Sequence, residues 1–180
     1  MSQLKVNSIV PAGGLTSGAN GGIIQIVNSH LKTKQTITGS SSFQTTGLSA
    51  TITPSSSSSK ILVVVNGVYN VANATSTQYI SQFKLYNGTT EITDANSSGS
   101  TNNAWKTMFE VSAQSGDHQQ YELLPIQGDY LYTHGGSAGS AITINLYATN
   151  QPGTVAMFFN GRNLEDYGTT SSMTLYELGG

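Results

Sequence analysis

The chain has no cysteine, and only 9% of its 180 residues are charged. Without cysteine it can form neither disulfides nor thiolate metal sites, so its stability must come from burial, strand pairing or oligomerisation. No apolar run is long enough to span a bilayer, and the N-terminus lacks the apolar core of a signal peptide. We therefore expect a protein that is made in a cytoplasm, is not exported on a signal of its own and does not insert into a membrane.

The composition also limits the kinds of partner. The formal net charge is -2, and the seven Lys and Arg residues are scattered, so nucleic-acid binding is not expected. Ser and Thr make up about a quarter of the chain, a composition that can accompany disorder. Val, Ile, Tyr and Phe nevertheless come in organised runs, which disordered segments lack. The sequence predicts a folded domain whose surface consists mainly of hydroxyl and amide groups.

Strand signals recur from Gly22 onward, separated by Gly, Asn, Ser and Pro. Segment 105–113 is expected to pair with 119–126, and Asn87-Gly88 predicts a hairpin turn. No window shows a sustained helical period. The pattern predicts an all-β fold, a single jelly-roll-like antiparallel β-sandwich over residues 22–180. The expected strands are 23–27, 43–53, 60–69, 79–86, 105–113, 119–126, 141–148, 154–160 and 171–178.

Segment 60–69 is continuously apolar, which is typical of a central strand covered on both faces. Because Val64 lies in the middle of this segment, we expect Val64→Asp to abolish folding.

Residues 1–21 form a separate, extended arm in this interpretation. A short amphipathic segment is followed by a Gly-rich stretch that carries little packed structure by itself. The segment is either a frayed terminus or an attachment arm. In the second case Leu4, Val6, Ile9 and Val10 contact another protein.

Two late segments are apolar on both faces, which predicts a subunit interface. The alternative is that they are central strands under a loop. The expected interface residues are Val155, Met157, Phe158, Phe159, Met173, Leu175, Tyr176 and Leu178.

The sequence offers only weak signals of catalysis or metal binding. Segment 135–139 matches the G-x-S-x-G pattern around Ser137, but that motif needs a following helix, and a β-branched segment follows here. His30, His118 and His134 lie apart, and Glu165-Asp166 is an adjacent pair on a short loop. We expect no catalytic residue, no metal site and no cofactor, and therefore not an enzyme.

Aromatic and amide side chains suggest contact with sugars, which stack on aromatic rings and hydrogen-bond to amides and hydroxyls. The alternative is that the tyrosines are ordinary strand residues. The candidate glycan contacts are Tyr69, Asn103, Trp105, Tyr130, Tyr132, His134 and Tyr167.

Several segments resemble the tail-fibre-like virion proteins of tailed phages, especially those of marine cyanobacterial phages. The resemblance covers the first third and both ends of the chain. It is carried by Gly22-Ile23-Ile24-Gln25-Ile26-Val27, Gly47-Leu48-Ser49-Ala50-Thr51-Ile52-Thr53-Pro54 and Ser58-Ser59-Lys60-Ile61-Leu62-Val63-Val64-Val65, with Leu4-Lys5-Val6-Asn7-Ser8-Ile9 and Ser171-Ser172-Met173-Thr174-Leu175-Tyr176-Glu177-Leu178-Gly179 at the ends.

The resemblance implies a homotrimeric tail-fibre or tip protein of the virion. Its arm would contact other virion proteins, and its loops would bind host-surface polysaccharide. The chain is shorter than most fibre proteins, so a capsid decoration protein is the first alternative. A non-viral carbohydrate-binding module is the second.

Overall fold

A computed structural model of the chain describes residues 22–38, 42–71, 79–98, 103–110, 122–151, 155–162 and 168–179. Two antiparallel sheets pack together, which confirms the predicted all-β sandwich. A short 3-10 helix lies at Thr93–Ala95. The strands are β1 (Ile23–Leu31), β2 (Gln35–Ile37), β3 (Gln44–Ile52), β4 (Lys60–Val71), β5 (Tyr79–Asn87), β6 (Thr90–Glu91), β7 (Lys106–Glu110), β8 (Leu124–Thr133), β9 (Ile142–Gln151), β10 (Met157–Phe159) and β11 (Ser171–Leu178).

No helix in the described part of the chain is long and apolar enough to cross a membrane.

The two sheets have different membership. The first sheet runs β1, β11, β4 and β8, and the short strands β10 and β2 extend it beyond the end of β11. The second sheet runs β3, β9 and β5, with β6 and β7 on the far edge of β5. β4 is therefore central, because β8 lies along one of its edges while β11 and β10 share the other.

The pairing of the longer strands is nested. Eight of the described strands have five or more residues. Among these the first pairs with the last (β1 with β11), the second with the seventh (β3 with β9), the third with the sixth (β4 with β8), and the fourth with the fifth (β5 with β7). The chain is thus arranged like one long hairpin rolled into two sheets.

Period-two alternation of apolar residues places the core between the sheets. β4 contributes Ile61, Val63 and Val65 from the first sheet, all fully buried, and β5 contributes Phe83 and Leu85 from the second. Residues between these positions face outward. Leu48, Ile52, Ile126, Ile144, Leu146, Met173 and Leu175 complete the contact between the sheets.

The expectation that segment 60–69 is covered on both faces is wrong. β4 is central within its sheet, but its outer face is only half-buried, and Val64 lies on that face. The side chains in the core are those of Val63 and Val65. A continuous apolar run does not show which of its two faces is covered, and here one face packs on the second sheet while the other does not.

The expected pairing of 105–113 with 119–126 is also wrong for the described residues. β7 pairs with β5 in the second sheet, whereas β8 pairs with β4 in the first. β8 also extends to Thr133, so Tyr130 and Tyr132 are strand residues and not loop residues. The hairpin predicted at Asn87-Gly88 is confirmed, since Asn87 pairs with Thr90, and Gly88 has the positive φ of 60° that glycine tolerates best.

A buried carboxylate anchors the turn between β3 and β4. Glu177 on β11 is fully buried. Its Oε1 accepts hydrogen bonds from the Ser55 backbone N–H (2.7 Å), the Ser55 hydroxyl (2.6 Å) and the Ser59 hydroxyl (2.7 Å). Its Oε2 accepts one from Gln25 Nε2 (2.7 Å) on β1. Burial alone raises the pKa of Glu177, but these hydrogen bonds outweigh it and lower the pKa from 4.5 to about 2.

The two faces of β4 give a matched pair of substitutions. We expect Val63→Asp to destabilise the fold by about 3–5 kcal/mol, because it buries an unpaired charge between the sheets. Val64→Asp should cost about 1 kcal/mol, since its carboxylate can reach water. Urea unfolding of both variants measures the difference. Equal losses in the two variants would contradict the assignment of the faces.

The Glu177 site predicts an acid-sensitive stability. Because its folded pKa lies below the unfolded value of 4.5, its contribution is fully present above that value and is lost as the pH falls toward 2. The lowered pKa corresponds to on the order of 3 kcal/mol at neutral pH. Glu177→Gln should lose much of this at pH 7 and show a flatter dependence of unfolding free energy between pH 5 and pH 2. Glu122→Gln, at an exposed position, is the control and should behave like the wild type.

Candidate ligand-binding site

Two adjoining hollows lie beside the β5–β6 hairpin and share Glu91 and Thr93. The larger has a volume of about 570 Å³ and lies on the outer face of the second sheet. The smaller, of about 280 Å³, lies at the edge that faces β8. The larger is lined by Phe43, Gln82, Lys84, Glu91, Thr93, Asn96, Ser97, Ser98, Asn103 and Gln151, and the smaller by Asn87, Thr90, Glu91, Ile92, Thr93, Asp94 and Tyr132.

An ion pair lines the larger hollow. Lys84 Nζ lies 2.7 Å from Glu91 Oε1, and the two side chains are 15% and 27% exposed. The same ammonium group lies 4.5 Å from the centre of the Phe43 ring, within range of a cation–π contact. Asn96 Nδ2 also donates to Glu91 Oε1 (2.6 Å), and the Tyr86 hydroxyl donates to Oε2 (3.3 Å).

These contacts keep the Glu91 carboxylate charged. Burial by itself raises its pKa, but hydrogen bonds from Lys84 and Asn96 and the charge of Lys84 outweigh burial and lower the pKa below its ordinary value. The same carboxylate, after burial, raises the pKa of Tyr86, so the phenol remains a donor. The hollow therefore presents a fixed carboxylate, an ammonium group, several amides and one aromatic ring. This set can hydrogen-bond to hydroxyl groups and pack against an apolar ring face.

Tyr132 forms one wall of the smaller hollow from the other sheet. Asn87 Nδ2 donates to its hydroxyl oxygen (3.2 Å), which ties the β5–β6 hairpin to β8. Its neighbour Tyr130 faces the same side; burial raises the pKa of Tyr130, and the Asp94 carboxylate and Tyr132 raise it further. The Tyr130 phenol is therefore a neutral donor at physiological pH.

Trp105 packs on β8 beside this edge. Its Nε1 donates to the Asp129 carbonyl oxygen (3.3 Å), and Lys106 Nζ lies 5.4 Å from its ring centre. Gly128 makes the close approach possible, because a Cβ there would lie 2.8 Å from Trp105 Cζ2 and 2.4 Å from Lys106 Cε. The indole is half-buried and serves the contact between the 103–105 loop and the first sheet.

Four of the seven predicted glycan contacts come together at this side of the sandwich. Asn103 and Tyr132 line the hollows, and Trp105 and Tyr130 pack beside them. Whether they contact a glycan stays a prediction. Tyr167 lies outside the described residues.

Two other candidates are excluded as surface contacts. Tyr69 is fully buried, with its ring 5.2 Å from that of Phe83 in an edge-to-face arrangement. His134 is 3% exposed at the end of β8, and neither ring nitrogen has a hydrogen-bond partner among the described residues. Both were expected in loops. Tyr69 instead belongs to β4 and His134 directly follows β8, and the alternation of each strand turns these side chains inward.

Most of the predicted interface residues belong to the core of the chain itself. Met157, Phe159, Met173 and Leu175 are fully buried between the sheets, and Phe158 is 9% exposed beneath Lys34. The prediction is wrong for these five, because β10 and β11 are inner strands of the first sheet. Val155, Tyr176 and Leu178 are partly exposed, and the homotrimer itself stays a prediction.

The G-x-S-x-G segment does not acquire the geometry that a nucleophile motif needs. Ser137 lies on an exposed turn between β8 and β9, so a strand and not a helix follows the G-x-S-x-G segment. No group of three His, Asp or Glu residues that could hold a metal ion occurs in the described ranges. Glu165 and Asp166, His118, and the arm residues Leu4, Val6, Ile9 and Val10 lie outside those ranges.

Sequence reasoning missed Phe43, Lys84, Glu91 and Asn96. A usable signal was present, because Lys84 and Glu91 stand on either side of the recognised Asn87-Gly88 turn. In a two-residue hairpin such positions are diagonal neighbours, and opposite charges there attract. Phe43 and Asn96 carried no such signal, since they reach the hollow only through the tertiary fold.

No protein-family model matches the chain, and no curated protein is similar to it in sequence.

Proposed function

We propose that this chain is a structural protein of a phage virion, a jelly roll that displays a glycan-binding hollow. The sequence resemblance in the first third and at both ends supports the virion part of the proposal. The larger hollow beside the β5–β6 hairpin is the observation that supports the binding part.

The nested pairing supports the jelly-roll assignment. A jelly roll has eight strands in two sheets and is equivalent to a long hairpin that is rolled up. The pairs β1–β11, β3–β9, β4–β8 and β5–β7 follow that scheme. The first and third pairs form the first sheet and the second and fourth pairs form the second sheet, which is the division that a jelly roll requires. Viral capsid and lectin domains both use this architecture. The fold alone is an analogy and does not decide between the two uses.

The chemistry of the hollow favours a neutral, hydroxyl-rich ligand. The charges of Lys84 and Glu91 neutralise each other at 2.7 Å, so the site has no net charge with which to hold an ion. The remaining groups are amides, hydroxyls and a Phe ring, which match the hydroxyl groups and apolar faces of a sugar. Several copies on one particle would increase weak glycan binding through effective concentration.

The position of the protein on the particle tests the virion assignment. We expect cryo-electron microscopy of purified particles of a phage that encodes this chain to show its density on the tail, where a surface that binds host polysaccharide would meet the cell. Density on the capsid lattice would make it a decoration protein, and particles without it would overturn the virion assignment.

Removal of one charge tests the glycan site. Glu91→Gln keeps the shape of the side chain but leaves Lys84 without its carboxylate partner and removes a charged acceptor. We expect this variant to bind purified host-surface polysaccharide at least about tenfold more weakly than the wild type in titration calorimetry, because hydrogen bonds to charged groups are the stronger ones.

The matched control is Glu122→Gln, which makes the same chemical change at an exposed position away from the hollow. It should bind within about twofold of the wild type. Equal affinity for the wild type and Glu91→Gln would show that the hollow is not the glycan site.

A further inference from the structure

The outer face of the first sheet is divided into a polar and an apolar half. Residues directly opposite each other on paired strands share a face. One row across the four strands reads His30, Ser172, Asn66 and Gln127, and the next reads Asn28, Thr174, Val64 and Asp129. The following row is called the apolar row and consists of Ile26, Tyr176, Leu62 and Leu131. The row beyond it consists of Ile23, Leu178, Lys60 and Thr133.

The apolar row is open to solvent. Ile26 is 58% exposed and Leu131 44% exposed at its two ends, while Tyr176 and Leu62 are half-buried between them. Ile23 and Ile24, beside Ile26, are 58% and 50% exposed. A sandwich normally presents polar residues on its outer faces, so a contiguous apolar surface of this kind marks an interaction site.

We propose that the apolar row is the surface on which a second copy of this chain packs, face to face, about a twofold axis that runs along the row. Such an axis places each residue of the row opposite the same residue of the second copy, as isologous contacts require. Ile26 then meets Ile26, and Leu62 meets Leu62, across the interface.

The charges beside the row favour this axis. Lys60 lies one row to one side of Leu62, and Asp129 lies one row to the other side of it on the adjacent strand β8. Both side chains are exposed. Rotation about the row exchanges the two flanking rows, so Lys60 of each copy faces the row that holds Asp129 of the other. The contact thus gains two symmetric ion pairs.

A twofold axis parallel to the strands would not have this property. It would place each row opposite the same row of the second copy. Lys60 would then lie opposite Leu178, and Asp129 would face Asn28. The arrangement of charge therefore selects the axis along the row.

The available area suits a weak but specific dimer. Rotation about the apolar row overlaps that row and the two rows beside it. Four strands about 4.8 Å apart and three rows about 6.7 Å apart cover on the order of 400 Å² on each copy. The pair would bury roughly 800 Å², which is in the range of weak, transient interfaces. We therefore expect dissociation in the micromolar range. The proposal does not depend on the glycan site, which lies on the other sheet.

Sedimentation of the full chain tests the contact. Over concentrations of about 1–200 µM, in the range expected for an interface of this size, the wild type should shift from 18.9 kDa to twice that mass. Ile26→Thr/Leu131→Thr replaces both apolar side chains with threonine, which is β-branched and suits a strand, and should weaken the dimer at least about tenfold. His30→Thr/Gln127→Thr, on the same strands but in the polar half, is the matched control and should dimerise within about threefold of the wild type.

A charge exchange tests the axis. Lys60→Asp places like charges opposite each other at both symmetric positions and should weaken the dimer about tenfold. Adding Asp129→Lys should restore wild-type dimerisation. The Trp105 hydrogen bond uses the Asp129 carbonyl oxygen and not its side chain, so this exchange leaves it in place.

Each alternative occupant gives a different result. A wild type that remains monomeric at all concentrations would overturn the proposal. An apolar row that is covered by residues 1–21 of the same chain would also overturn it. A trimer that Ile26→Thr/Leu131→Thr dissociates would place the contact on this face but overturn the twofold axis. Failure of the double charge exchange to restore the dimer would also overturn that axis.

Discussion

The Glu177 carboxylate is the interaction on which the arrangement of the strands depends most. A charged carboxylate in an interior is stable only when donors surround it. Here the donors come from two places that are far apart in sequence: Gln25 on the first strand, and Ser55 and Ser59 in the turn that crosses between the sheets. Satisfying one side chain therefore fixes both ends of the rolled hairpin and the crossing between them.

Asn160 is a second buried polar side chain that connects strands, and it lies at the opposite end of β11. Asn160 has a positive φ of 62°. Its Nδ2 donates to the carbonyl oxygens of Leu31 and Thr33, and its Oδ1 accepts from Thr169 and Ser171. These bonds hold the end of β1 against the start of β11. In a chain without cysteine and with few charges, fixed polar side chains provide the cross-links that disulfides give other small domains.

Local pattern predicted the strands better than their partners. Alternation and turn residues located β3, β4, β5, β9 and β11, because both depend on a few neighbouring residues. They do not indicate which strands lie side by side, so β7 and β8 were expected to pair although they lie in different sheets. The same limit applies to the prediction of the site. Tyr130 and Tyr132 could be chosen because they are aromatic, whereas Phe43 comes close to Lys84 only in the folded sheet.

The hollow and the apolar row lie on opposite outer faces of the sandwich. Gln82 and Lys84 alternate with the core residues of β5, so the larger hollow opens on the second sheet, whereas Leu62 and Tyr176 face outward from the first. A pair of copies joined through the first sheet would keep both hollows free and direct them away from each other. Under the proposed function, two such sites would engage separate stretches of a surrounding polymer and could not close on one short ligand, so the proposed dimer suits a long surface polysaccharide.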